Sequence, residues 1–265
     1  MEALYSATVL GSSVYLILWF FVIYSFLGVL VEMIFFLVQE GVLESRVGLL
    51  YLPLRPIYGV GGVACAVLLH RFIQEPILIF LFGMLICSVV EYVASFVREN
   101  AFGTVSWDYS DKLLNLHGRV CLQYSCCWGL LALLVLYVLN RFFYGFVNLS
   151  GGQVGEIVLT VLMVLTLLSV VVTLAALARI HKRVAVLKTR ARGEAVSAAD
   201  TGWDRLIDRL APDPVMINSF PRTSLMMEFM ELTGERRAWI RLPGHPGPPS
   251  EPHSRADKAR PSAWP

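Results

Sequence analysis

Apolar residues gather along the chain into five long runs, at about 14–38, 57–73, 77–97, 121–140 and 154–178, and polar residues are concentrated between and after them. About 20 apolar residues rising about 1.5 Å each cover a hydrocarbon core of about 30 Å, so every run reads as a membrane-crossing helix. The pattern predicts an all-α, polytopic membrane helix bundle with about five transmembrane helices. The second run is the weakest, because it opens on Tyr58-Gly59-Val60-Gly61-Gly62. Glycine in a membrane helix nevertheless tends to mark close backbone approach rather than a break.

Lys and Arg set the expected orientation. With five crossings, Arg46, Arg55, Arg98, Lys112, Arg119, Arg179, Lys182, Arg183, Lys188, Arg190 and Arg192 fall on one side, and only Arg71 and Arg141 on the other. Basic connections stay in the cytoplasm, which puts the N-terminus outside and the C-terminus inside. The connections 39–56 and 98–120 then both face the cytoplasm. Residues 1–13 contain Glu2 but no Lys or Arg, so the basic start of a cleavable signal is absent and the first run is expected to remain.

Composition narrows the class further. With 56% hydrophobic and 16% charged residues, the chain carries more apolar surface than a soluble fold can hide. The expected partner is the lipid bilayer. The net charge of +2 gives no sign of nucleic acid, because the basic residues collect just after the last apolar run.

Three regions follow: a transmembrane bundle over 1–180, a basic and amphipathic cytoplasmic segment over 181–242, and a Pro-rich tail over 243–265. The basic residues from Arg179 to Arg192 read as a stop-transfer flank touching anionic lipid. Trp203 to Leu210 and Leu225 to Trp239 each have the pattern of a short amphipathic helix. Met226, Met227, Phe229, Met230 and Leu232 offer a sticky surface for a partner. From Pro243 on, 7 prolines in 23 residues and no apolar periodicity predict disorder.

The chemistry-bearing residues cluster. Val31 to Glu40 lines up with Val90 to Glu99, each followed by a polar connection ending in an arginine, Arg55 or Arg119, and then by another apolar run. This reads as a parallel repeat of one helical hairpin. Glu32 and Glu91 sit within the membrane level, where an unpaired carboxylate costs about 2–3 kcal/mol, so Arg46, Arg55 and Arg119 are the expected partners. The expected result is a cytoplasm-facing polar pocket formed by Glu32, Arg46, Arg55, Tyr58, Glu91, Glu99, Trp107, Asp108, Tyr109, Asn115, Gly118, Arg119 and Trp128. The competing reading makes these pairs docking struts, with Trp107 and Trp128 as interfacial anchors and Asp108 and Asn115 as caps.

No G-x-S-x-G, G-x-x-x-x-G-K-[ST] or H-E-x-x-H motif occurs, so the chain is not expected to bind and split ATP by the usual phosphate loop, and an ATPase would be another polypeptide if ATP drives it. Cys65, Cys87, Cys121, Cys126 and Cys127 show no C-x-x-C spacing and read as reduced packing residues. No cofactor and no metal site is expected.

The succession Val31-Glu32, Arg46, Tyr51-Leu52-Pro53, Pro56 to Gly61, Glu91-Tyr92, Ser95, Glu99, Phe102-Gly103, Trp107-Asp108-Tyr109-Ser110, Asn115, Gly118 to Leu122, Ser125 and Trp128-Gly129 resembles the bacterial type IV, CmpB-like family of ABC-transporter permeases. The likeness covers roughly residues 20–145 and departs at Val47 and Arg55. It implies a multi-pass protein of the bacterial inner (plasma) membrane that is a transport subunit, with a separate ATPase subunit and possible homo-oligomerisation. Two other readings stand beside it: an intramembrane enzyme acting on a lipid or lipid-linked headgroup, with Asp108 or Glu91 as base, and a scaffold or sensor working through its cytoplasmic tail.

Overall fold

The computed structural model describes residues 8–9, 11–40, 48–194, 201–220 and 223–234, the side chains of 39 and 40 excepted. A two-residue ladder of β1 (Thr8–Val9) and β2 (Ser12–Ser13) precedes α1 (Val14–Glu40). Then come α2 (Pro56–Leu68), a 3-10 turn at His70–Phe72, and α3 (Pro76–Phe102). A loop carrying the small hairpin of β3 (Asn115–Leu116) and β4 (Val120–Cys121) leads to α4 (Leu122–Leu134), a π-helical turn at Val135–Leu139, and α5 (Asn140–Leu149). The long α6 (Gln153–Ala191) is followed by α7 (Gly202–Leu210), α8 (Asp213–Ser219) and α9 (Ser224–Thr233).

Local sequence sets the breaks. Pro56 and Pro76 occupy the first turns of α2 and α3, where a missing N–H costs nothing. Gly103 ends α3 with φ +60°, the left-handed cap that glycine adopts without strain.

Among the described residues, four helices are long and apolar enough to cross a membrane: Val14–Val38, Pro76–Phe102, Leu122–Leu149 and Gln153–Ala191. The second apolar run differs from expectation. Its helix α2 has 13 residues, about 20 Å, short of a core of about 30 Å. Tyr137 donates to the Ile73 carbonyl (2.8 Å), whereas Tyr15 on α1 donates to the Ser150 carbonyl (2.8 Å). The turn after α2 therefore lies about 13 residues of α4–α5 helix, roughly 20 Å, below that end of the bundle. The fourth run also differs: helix continues through the π turn to Leu149 instead of stopping near residue 140.

The two hairpins are built alike. α1 and α3 each have 27 residues, although α2 stops after 13 while the helix that starts with α4 continues to Leu149. The glycine-rich start of α2 is an approach surface. A Cβ on Gly59 would stand 2.7 Å from the Phe21 carbonyl oxygen, and one on Gly129 would stand 2.8 Å from that of Phe80. Small residues thus bring α1 against α2 and α3 against α4, as membrane helices require in the absence of a hydrophobic drive between them.

At 39 residues, α6 is about 58 Å long and outruns the bilayer. Helices α7–α9 fold back on its second half as a cap. Ile180 and Val184 pack there with Ile207, Met216, Ile217, Phe220, Leu225, Met226 and Phe229. This revises the expected partner surface, because Met226 and Phe229 are fully buried within the chain while Met227 stays exposed. It also revises the lipid-facing basic flank. Arg179 pairs with Asp208 and Asp213, Arg183 with Asp213 (2.7 Å), Lys182 with Asp204 (2.9 Å) and Lys188 with Glu228.

Asp204 closes a capping box with Thr201 at the start of α7. Its hydrogen bond from the Thr201 N–H, and then those from the Lys182 and Thr201 side chains, hold its carboxyl at about 2, below the ordinary 3.8. A carboxyl depressed on folding stabilises the fold above its unfolded value, and that stabilisation is lost as pH falls through the folded value. Amide protection in α7 is therefore expected to drop between pH about 4 and about 2, and Asp204→Asn to remove that pH dependence when protection factors are compared.

Candidate functional site

Both polar connections meet at one end of the bundle. The first is pinned by the Arg55 N–H, which donates to the Ser25 carbonyl on α1 (2.8 Å), and by the Leu50 N–H, which donates to Thr173 Oγ1 on α6 (2.9 Å). The Arg55 side chain reaches along α1 to Glu32, seven residues or two turns beyond Ser25, and the two form an ion pair with side chains 13% and 16% exposed.

The second connection explains most of its own polar residues. Asp108 accepts from the Ser110 N–H (2.9 Å) and from the Ser110 hydroxyl. Asn115 Nδ2 donates to the carbonyls of Ser110 (3.1 Å) and Lys112 (3.0 Å), while its Oδ1 accepts from the Gly118 N–H (3.1 Å). Gly118 has φ +68°, and a Cβ there would lie 2.6 Å from Asp108 Oδ1. Only glycine meets both demands. Trp107 Nε1 donates to the Arg119 carbonyl (2.9 Å), and the Tyr109 N–H to that of Gly118 (2.8 Å). Asp108 and Asn115 are thus loop builders, and the Asp108 carboxylate is committed to its turn rather than poised as a base.

This scaffold presents Trp107 and Tyr109 to a cavity of about 230 Å³, with Glu32, Arg55, Tyr58, Glu91, Arg98 and Trp128 also in its wall. Glu91, 4% exposed, accepts from Trp128 Nε1 at Oε2 (2.9 Å) and from the Tyr109 hydroxyl at Oε1 (3.2 Å). Burial, and then the neighbouring Glu91 carboxylate, push the Tyr109 hydroxyl well above its ordinary value, so it remains a donor. Tyr58 packs on Trp128 with ring centroids 5.1 Å apart, and Tyr109 on Tyr124 at 4.7 Å. Ser219, Phe220 and Thr223 close the cavity from the cap.

Arg119 faces elsewhere. It pairs with Glu99 (2.6 Å) and lies over the rings of Tyr92 (5.4 Å) and Phe96 (5.5 Å), in a wider cleft that Asn115, His117 and Gly118 also line. The single ring of charges expected from sequence is therefore two compartments, and Glu91 takes neutral donors instead of an arginine. Arg46 lies outside the described residues.

Sequence reasoning missed Arg98, Phe35, Tyr124 and the three cap residues. The signal for Arg98 was present. It follows Glu91 by seven residues, two helical turns, and so shares its face. The cap residues had no such signal, because a contact across more than a hundred positions leaves no periodic trace.

No curated protein and no solved structure matches the chain. The sequence profile of one family, described as Putative ABC-transporter type IV, matches residues 19–174, more than half of the chain. The match spans both hairpins, the two polar connections and the membrane part of α6, and it ends before the cap. A bundle with four membrane-length apolar helices, whose shared polar end is built from the residues of that match, is thus a multi-pass membrane protein that belongs to the Putative ABC-transporter type IV family.

Proposed function

We propose that the protein is the membrane subunit of an ATP-driven transporter in a bacterial inner (plasma) membrane, with the polar end of the bundle and the cap on the cytoplasmic side. The cavity of about 230 Å³ is its solute site and opens toward the cytoplasm, and another polypeptide supplies the ATPase. One observation carries the reading: ionisable groups from both hairpins, Glu32, Arg55, Glu91 and Arg98, line the same chamber. Each charged residue at membrane depth costs about 2.5–3.5 kcal/mol, and the glycine contacts that close each hairpin do not require it. The outrunning end of α6 and its cap give an ATPase a rigid cytoplasmic surface to meet. A bundle this small forms a pathway with a second copy, so homo-oligomerisation belongs to the proposal.

The test is purification of the tagged full-length protein from native membranes in mild detergent. The expected result is recovery of an ATPase with a phosphate-binding loop, together with ATP hydrolysis that depends on this subunit. Repeated recovery of the protein alone, without hydrolysis, overturns the reading.

A further inference from the structure

We propose that the cavity takes a small zwitterion, seating an amine-type cation against Glu91 among the aromatic walls and the anionic end of the same molecule against Arg98. This rests on reading the cavity as a solute site and adds the class of solute.

Charge placement is the first support. Four acidic or basic side chains line the cavity, and two of them, Glu32 and Arg55, pair with each other. Glu91 and Arg98 form no ion pair among the described residues, although Arg98 lies close enough to feel both Glu32 and Arg55. They lie on one face of α3, two turns and about 10 Å apart along its axis. A lone cation would meet Arg98 and a lone anion would meet Glu91, so each half is repelled at one end. Only a solute carrying both charges satisfies both ends.

The local chemistry fits each end. Trp128 and Tyr109 hold separate oxygens of Glu91 and fix the carboxylate while leaving it acceptor capacity. Their rings, with Tyr58 and Tyr124, supply faces that attract an ammonium group. Toward the other end, the guanidinium of Arg98 presents a planar fork suited to a carboxylate or phosphate. Ser106 Oγ, also in the cavity wall, is buried and has no hydrogen-bond partner among the described residues. Such an orphan is a vacancy for a ligand acceptor. A volume of about 230 Å³ is below the roughly 300–1,000 Å³ of drug-sized sites, which limits the occupant to a small molecule or a headgroup.

The paired hairpins show how the site arises. In the first, the closing arginine Arg55 takes the inner carboxylate, Glu32. In the second, Arg119 takes the outer one, Glu99, and the inner Glu91 is left to neutral donors.

The test is calorimetric titration of the full chain in phosphatidylglycerol nanodiscs with glycine betaine, tetramethylammonium and propionate. Glycine betaine is expected to bind at least about tenfold more tightly than either half-ligand. Glu91→Gln is expected to weaken it by about tenfold, and Arg98→Gln to erase its advantage over tetramethylammonium. A wild-type readout covers a variant that does not fold: glycine betaine, but not propionate, slows methanethiosulfonate modification of Cys127, which lines the cavity. If glycine betaine does not bind, yet native mass spectrometry retains phosphatidylethanolamine over phosphatidylglycerol and Glu91→Gln loses that preference, the zwitterion is a lipid headgroup. Absence of both binding and lipid preference overturns the proposal, as does binding unchanged in both variants. Binding without an ATPase partner sinks only the transport reading, and an ATPase partner without zwitterion binding sinks only this one.

Discussion

Replacing Asp213 with alanine is expected to release the cap from α6. Asp213 bridges two arginines, Arg179 at 2.9 Å and Arg183 at 2.7 Å, and the Arg179 side chain is only 4% exposed. Removing one partner of a buried pair costs about 3–5 kcal/mol, mostly because the remaining charge stays desolvated. Asp208 still reaches Arg179, and lies 3.9 Å from Arg183, so an expected cost of about 2–4 kcal/mol is appropriate. Hydrogen exchange should then show protection in α7–α9 falling on the order of a hundredfold, while α1–α5 keep theirs. Asp213→Asn, which retains a hydrogen-bond acceptor for Arg183, should fall between the two. Unaltered protection in the alanine variant would mean that apolar packing alone holds the cap.

Arg55→Ala is expected to be the most damaging single change at the polar end. It leaves Glu32, 16% exposed, without the guanidinium that the ion pair supplies, at a cost of about 3–5 kcal/mol. Taking away Glu32 as well removes the carboxylate that has lost this guanidinium, and replacing both members of a buried pair is often close to neutral. The double variant Glu32→Ala/Arg55→Ala should therefore regain thermal stability in detergent. Transport separates the two roles of the pair. A docking strut predicts that activity returns with stability, whereas a chamber whose charges are used predicts a stable, inactive protein. The second outcome is the one expected here.

Much of this architecture is legible in the chain because membrane helices announce themselves by composition. The runs at 14–38, 77–97 and 154–178 map onto α1, α3 and α6, and Gly59 marks a close approach as its neighbourhood suggests. Where reading failed, a local pattern met a non-local constraint. The run at 57–73 has the hydropathy of a span, but only the hydrogen bond from Tyr137 to Ile73 reveals how early its helix turns back. Met226 and Phe229 look like a partner's surface because nothing nearby covers them in sequence. Their cover is Ile180 and Val184 on α6.

The site was legible as a set of residues and not as an arrangement. Asp108 and Asn115 stand out by polarity, yet their hydrogen bonds stay inside the loop. Arg119 looks like the natural partner of Glu91, but its side chain reaches Glu99 instead. Which carboxylate an arginine selects depends on loop geometry a few ångströms across, and spacing along the chain does not encode it.

Cys127 offers the most direct test, since it lines the cavity and is itself exposed. A membrane-impermeant thiol reagent should be applied to sealed vesicles of both orientations, with the labelled cysteine identified by peptide mass spectrometry. The account predicts that Cys127 is modified when the reagent is on the cytoplasmic side and spared when it is outside. Modification from the outside alone, or none from either side, would contradict a solute chamber open to the cytoplasm.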